Sequence, residues 1–147
     1  MSDSELIHVQ KFVERGEYFL KQEQFQEAAT NFKDAMNRMQ NYLPAHTRYA
    51  VALAKQRKYL DAIKALESCR KNLPLRNDQN VEVLTLLGSI CLIRQDYPAA
   101  TYYLKAARKL DPVSPRLRML LASCQMKCGN FAEGLDLMLE NARAHKA

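Results

Sequence analysis

Two thiols, Cys124 and Cys128, stand four residues apart, a spacing that on a helix turns both sulfurs to one face and could begin a metal site. A structural zinc ion needs two more ligands. The three histidines, His8, His46 and His145, show no paired spacing with one another or with the thiols. The pair is read instead as packing: one cysteine inside a helix pair, the other near a helix end before Gly129, where glycine stops the helix in a left-handed conformation. Cys69 and Cys91 are expected as small buried hydrophobes, in keeping with reduced thiols. Carboxylates also fall one helical turn apart, at Glu14 and Glu17 and at Asp136 and Glu140. Without a pocket-forming fold such pairs solubilise a helix and do no acid–base work. Gly16, Gly88, Gly129 and Gly134 occur singly, so no phosphate-cradling loop is present, and no serine sits in a strand–turn–helix elbow. The residues point to no enzyme, no metal and no cofactor.

The elements that would carry these residues recur. An aromatic residue, alanine three later, a large apolar residue four further on and a small residue three after that appear as Phe25, Ala28, Phe32 and Ala35, then as Tyr59, Ala62, Leu66 and Cys69. They return as Tyr97, Ala100, Leu104 and Ala107, and as Phe131, Gly134, Met138 and Asn141. The second members are 34, 38 and 34 residues apart, the period of two short antiparallel helices per repeat. Small residues at Gly16, Ala50, Gly88 and Ala122, facing Ala28, Ala62, Ala100 and Gly134, let paired helices approach closely. Phe32, Leu66, Leu104 and Met138 are expected to fill the gap to the following pair. Polar stretches at Lys21 to Gln24, Gln56 to Lys58, Arg94 to Asp96 and Lys127 to Asn130 separate the helices. Stacked repeats present a long concave wall suited to holding another polypeptide.

The columns resemble the tetratricopeptide repeat (TPR) family from roughly Val9 to Ala144. First-helix columns of that family are occupied by Phe12, Arg15, Gly16 and Phe19, by His46, Tyr49, Ala50 and Leu53, by Leu84, Leu87, Gly88 and Cys91, and by Arg118, Leu121, Ala122 and Gln125. Pro74 and Pro112 close their repeats where the family places proline, a residue that cannot continue a helix. The resemblance implies an all-α fold, a right-handed α-solenoid of about four antiparallel helix pairs. One domain over 1–147 would hold repeats near 9–42, 43–76, 81–114 and 115–147. Four extra residues fall within 75–80, which either lengthens a helix or forms an exposed loop.

The same resemblance implies a non-catalytic adaptor, scaffold or chaperone with a protein or peptide partner held on the inner face. By register that face takes Val13, Glu17, Leu20 and Lys21 from repeat one and Thr47, Arg48, Val51, Ala54 and Lys55 from repeat two. Repeat three supplies Thr85, Ser89, Leu92 and Ile93, and repeat four Arg116, Met119, Ser123, Met126 and Lys127. The wall is apolar with a basic fringe, in which Lys21, Lys55 and Lys127 would hold a partner's carboxylates or carbonyls; a terminal helix of the same chain is the alternative occupant. The two-carboxylate clamp by which some TPR proteins grip chaperone C-termini is absent, since Val13, Glu17, Arg48, Glu82 and Leu86 stand at its positions. Asp111, Pro115, Ala122, Cys124, Gly129 and Glu133 resemble the last repeat of the TPR chaperones of type III secretion, which implies a secreted client as an alternative.

Charge adds a rival. The 147 residues carry a net charge of +6. Base is concentrated in the middle, from Arg38 and Arg48 through Lys55, Arg57, Lys58, Lys64, Arg70, Lys71 and Arg76, a belt that could meet phosphates. RNA binding is the weaker reading, because the aromatics that would stack on bases are spent in core columns. No membrane insertion is expected, no export signal is read in Met1 to Gln10, and the expected location is cytoplasmic. A short segment after Asn141 leaves the outer face of the last repeat bare, so a homodimer or larger assembly is expected as an option.

Overall fold

The computed structural model describes Asp3–Lys146, with side chains as far as Ala144. Those residues form eight helices and no strand: α1 (Asp3–Lys21), α2 (Phe25–Arg38), α3 (Leu43–Lys55), α4 (Tyr59–Asn72), α5 (Asn77–Ile93), α6 (Tyr97–Leu110), α7 (Pro115–Lys127) and α8 (Phe131–Lys146). Each of the four polar stretches becomes a tight turn inside a pair, and all four turns are built alike. The chain reverses through one left-handed residue, Glu23 (φ 59°), Arg57 (φ 63°), Gln95 (φ 66°) or Gly129 (φ 84°). The next N–H then reaches back five residues: Gln24 to the Phe19 carbonyl, Lys58 to Leu53, Asp96 to Cys91 and Asn130 to Gln125, at 2.8–3.0 Å. This is the six-to-one bond that satisfies the last carbonyls of a helix.

Helix starts have their own causes. Proline stands in the first turn of α3, α6 and α7, where its missing N–H costs nothing. The Asp96 carboxylate and the Ser114 hydroxyl each accept an N–H of the helix that follows, from Ala99 and Leu117 at 3.3 Å. α1 begins at Asp3, six residues before the expected start of the first repeat, with Asp3 and Glu5 in its first turn facing the positive end of the helix dipole. α5 has 17 residues where α3 and α7 have 13. The extra residues therefore lengthen a helix instead of making a loop.

The chain divides after Pro74 into two units. In the first, α1 packs on α2, α2 on α3 and α3 on α4, with α1 also touching α3. Its core joins Val9, Val13, Ala28, Ala29, Phe32, Ala35, Met39, Ala45 and Ala52. In the second, α5 packs on α6, α6 on α7 and α7 on α8, with α5 touching α7. Val83, Leu84, Leu87, Ala100, Leu104, Leu117, Leu121 and Cys124 are buried there.

The small columns are where helices meet. A methyl group on Gly16 would collide with the Phe32 ring, and one on Gly88 would sit 2.6 Å from Leu104 Cγ. Phe32 and Leu104 thus touch the first helix of their own pair, and Phe32 also shares its core cluster with Ala45 and Ala52 of α3, in the gap to the following pair where the sequence set it. Met138, in the same column, is exposed on a helix that packs on α7 alone among the described residues.

Candidate functional site

α1 and α3 of the first unit, and α5 and α7 of the second, are the first helices of their pairs, and each touches its counterpart. Their register decides which expected wall residues reach solvent. Val13, Thr47 and Thr85 are only 6%, 3% and 8% exposed, whereas Met119, next in that column, is 53% exposed. The first three are corrected to packing residues. Val13 belongs to the core of the first unit. The Thr47 and Thr85 hydroxyls donate to carbonyls of their own helices, Pro44 at 3.2 Å and Val81 at 2.7 Å.

Glu17 and Arg48 are brought together across 31 residues of sequence, the Arg48 guanidinium donating to the Glu17 carboxylate and also to the Pro44 carbonyl at 3.3 Å. The pair ties α3 to α1 and neutralises two of the charges expected on the wall. Leu20 is half-buried against the core, and Val51, Ala54, Ser89 and Leu92 are half-buried as well. Lys21, Lys55, Ile93, Arg116, Ser123, Met126 and Lys127 are exposed. Met126 has a second task, since its side chain occupies the space that a Cβ on Gly134 of α8 would need.

A cleft of about 350 Å³ opens between the N-terminal halves of α5 and α7. Asp78, Val81, Glu82, Thr85, Leu86, Ser114, Arg116 and Leu117 line it. Of these only Thr85 and Arg116 were expected on the wall. In the sequence Glu82 and Leu86 stand out only as departures from the carboxylate clamp. Arg76 bonds Asp78 through Nε and Nη2 at 3.1 and 3.3 Å, which holds the Asp78 carboxyl below the usual carboxylate range. The cleft therefore offers carboxylate oxygens and one guanidinium over an apolar floor.

Several cations of the central belt are already engaged. Arg38 lies over the Phe12 ring at 5.2 Å, Arg70 pairs with Glu67 at 3.6 Å, and Arg48 and Arg76 have the partners named above. Cys124 is fully buried, and burial pushes its thiol up to about 11; Cys128 sits exposed at the end of α7, as the packing reading required. No group of three or more metal-ligating side chains occurs among the described residues. Among them, too, no helix is long and apolar enough to cross a membrane.

Paired helices, small-residue contact columns and repeated turns define an α-helical repeat protein with solvent-facing first helices. Family models described as tetratricopeptide repeat match residues 13–74, 48–115 and 92–144. The chain belongs to the tetratricopeptide repeat family, an all-α solenoid class whose repeats are in general non-catalytic protein–protein interaction modules. No curated protein matches it in sequence. Among solved structures it is similar to MamA (residues 41 to the end) from Desulfovibrio magneticus RS-1, with a TM-score of 0.77 at 16% identity over 94% of this chain and 76% of that one. It is also similar to YrrB, a TPR protein described as having an unusual peptide-binding site, with a TM-score of 0.69 at 14% identity over 90% of this chain and 66% of that one. At such identity the likeness concerns the fold.

Proposed function

We propose that this chain is a non-catalytic adaptor or chaperone that holds a segment of a partner protein on the faces of its first helices. The observation that carries the reading is the exposure of Ile93 on α5 and of Met119 and Met126 on α7, beside Arg116 and Lys127. Apolar side chains left in water next to cations favour a segment with hydrophobic anchors and flanking carboxylates. Lys21 and Lys55 offer the same fringe on the first unit, where both are exposed. The peptide-binding site described for YrrB, on the same fold, agrees with this use.

Selection from a displayed library of random twelve-residue peptides tests it. Enriched peptides should carry large apolar residues with Asp or Glu beside them. Ile93→Glu and Lys127→Glu, both at exposed positions, should each weaken binding at least tenfold with the helical signal unchanged, and the loss of one such anchor corresponds to about 1.4 kcal/mol. Absence of enrichment, or binding indifferent to both substitutions, would defeat the reading. A segment held by apolar anchors should survive moderate salt, whereas binding to mixed RNA oligonucleotides through Arg57 and Lys58 would fall steeply.

A further inference from the structure

We propose that α8 carries a separate docking surface, and that its occupant is α8 of a second copy of this chain, paired antiparallel about a two-fold axis near Met138. Phe131, Leu135, Met138 and Leu139 are 64%, 54%, 44% and 45% exposed. Their spacing of four, seven and eight residues from Phe131 sets them on one stripe of the helix. The opposite requirement is met elsewhere on α8, since Gly134, Leu137 and Asn141 are the buried residues and α8 packs on α7.

Register within the repeat shows what kind of body the stripe fits. Ala29 and Phe32 of α2 stand where Leu135 and Met138 stand in α8, and both are buried with α3 packed on α2. Leu104 of α6, in the Met138 column, is buried with α7 packed on α6. Ala29 and Phe32 share their core cluster with Ala45 and Ala52 of α3, so on α2 the cover is a helix. The columns left bare on α8 are thus shaped for helix packing.

Charge selects the helix. Asp136 and Arg143 lie seven residues apart, two turns, so both stand on the same flank, next to Leu139. An antiparallel pair brings like flanks together, and a two-fold near Met138 sets Asp136 of each copy within about one turn of Arg143 of the other. Leu135 then lies within one turn of Leu139 of the second copy, in a self-complementary patch. Parallel pairing would turn that flank toward the one bearing Gly134 and Asn141, which offers no charge. One stripe per copy is small beside the roughly 1,200–2,000 Å² of a stable interface, so the association should be a concentration-dependent equilibrium.

Sedimentation velocity of the full chain at increasing concentration reads the proposal. The wild-type chain should shift from monomer to dimer. Leu135→Glu and Met138→Glu should stay monomeric at every concentration with an unchanged far-UV spectrum. Asp136→Arg should weaken association at least tenfold, and adding Arg143→Asp should restore it, because only the doubly swapped chain again has opposite charges on facing flanks. In a Cys128→Ser background, Met138→Cys should form a disulfide-linked dimer under mild oxidation, a readout that does not depend on tolerance of a buried charge. A chain monomeric throughout, a dimer unmoved by the substitutions on α8, a double swap that restores nothing, or an absent cross-link would overturn the proposal. Ile93→Glu should leave the dimer intact, which separates this surface from the partner-binding faces on the first helices.

Discussion

Two kinds of glycine sit in this chain, and they answer to different physics. Gly16 and Gly88 are contact glycines: a methyl group at either meets a fully buried Phe32 or Leu104. Overpacking a well-filled core costs about 1–3 kcal/mol, more than the roughly 1 kcal/mol that alanine gains over glycine in a helix. Gly16→Ala and Gly88→Ala should therefore lower the urea midpoint. Gly134→Ala should cost less than either, because its nearest neighbours at 2.9 Å are Cγ and Sδ of the flexible Met126 side chain, although the Ala122 carbonyl oxygen at 3.1 Å keeps it destabilising. Gly129 is the other kind. Nothing lies within 4 Å of its missing Cβ, and only its φ of 84° matters. Arg57 and Gln95 hold the same left-handed position without being glycine, at a strain of about 1–2 kcal/mol each. Arg57→Gly and Gln95→Gly should raise the midpoint of thermal unfolding and Gly129→Ala should lower it. At the same scale, the raised pKa of Cys124 means that folding favours the protonated thiol. The unfolded chain ionises first, near its ordinary thiol pKa, so this contribution to stability is fully present below about pH 8.5 and is lost as pH rises toward about 11. In the native protein a thiol reagent at pH 8 should modify Cys128 quickly and Cys124 only after denaturant is added.

The elements were legible where a type pattern marks them. The aromatic and alanine columns gave the helix pairs and their intervals, because close approach tolerates only small residues whatever surrounds them. Three of the four left-handed turn residues left no such mark. Glu23, Arg57 and Gln95 adopt that conformation because the six-to-one bond and the packing of the pair impose it, and no local preference announces it. The early start of α1 was also hidden, since the residues before Val9 fall in no repeat column. Long-range pairing was invisible in the same way: Glu17 and Arg48 meet only once α1 and α3 are stacked. That pair is half exposed, so its contribution should be small, within about 1 kcal/mol. Arg48→Ala should accordingly shift the denaturation midpoint little, and a larger loss would mean that the guanidinium packs as well as pairs. The wall was legible in part. Register taken from the family resemblance sets Val13, Thr47 and Thr85 on the solvent side, whereas all three are buried, Val13 in the core of the first unit.

For the molecule, what the repeats leave uncovered decides what it can do. In each unit one second helix, α2 or α6, packs between two first helices, and part of the first helices is left exposed. Two surfaces answer different needs on this account: first-helix faces for a partner segment, and the stripe on α8 for a second copy. Peptide binding should therefore be insensitive to Met138→Glu, while self-association should be insensitive to Ile93→Glu. Amide hydrogen exchange with and without a saturating selected peptide reads the first of these surfaces. Added protection confined to α1, α3, α5 and α7 is the predicted result, and protection falling instead on α2, α4, α6 or α8 would contradict it.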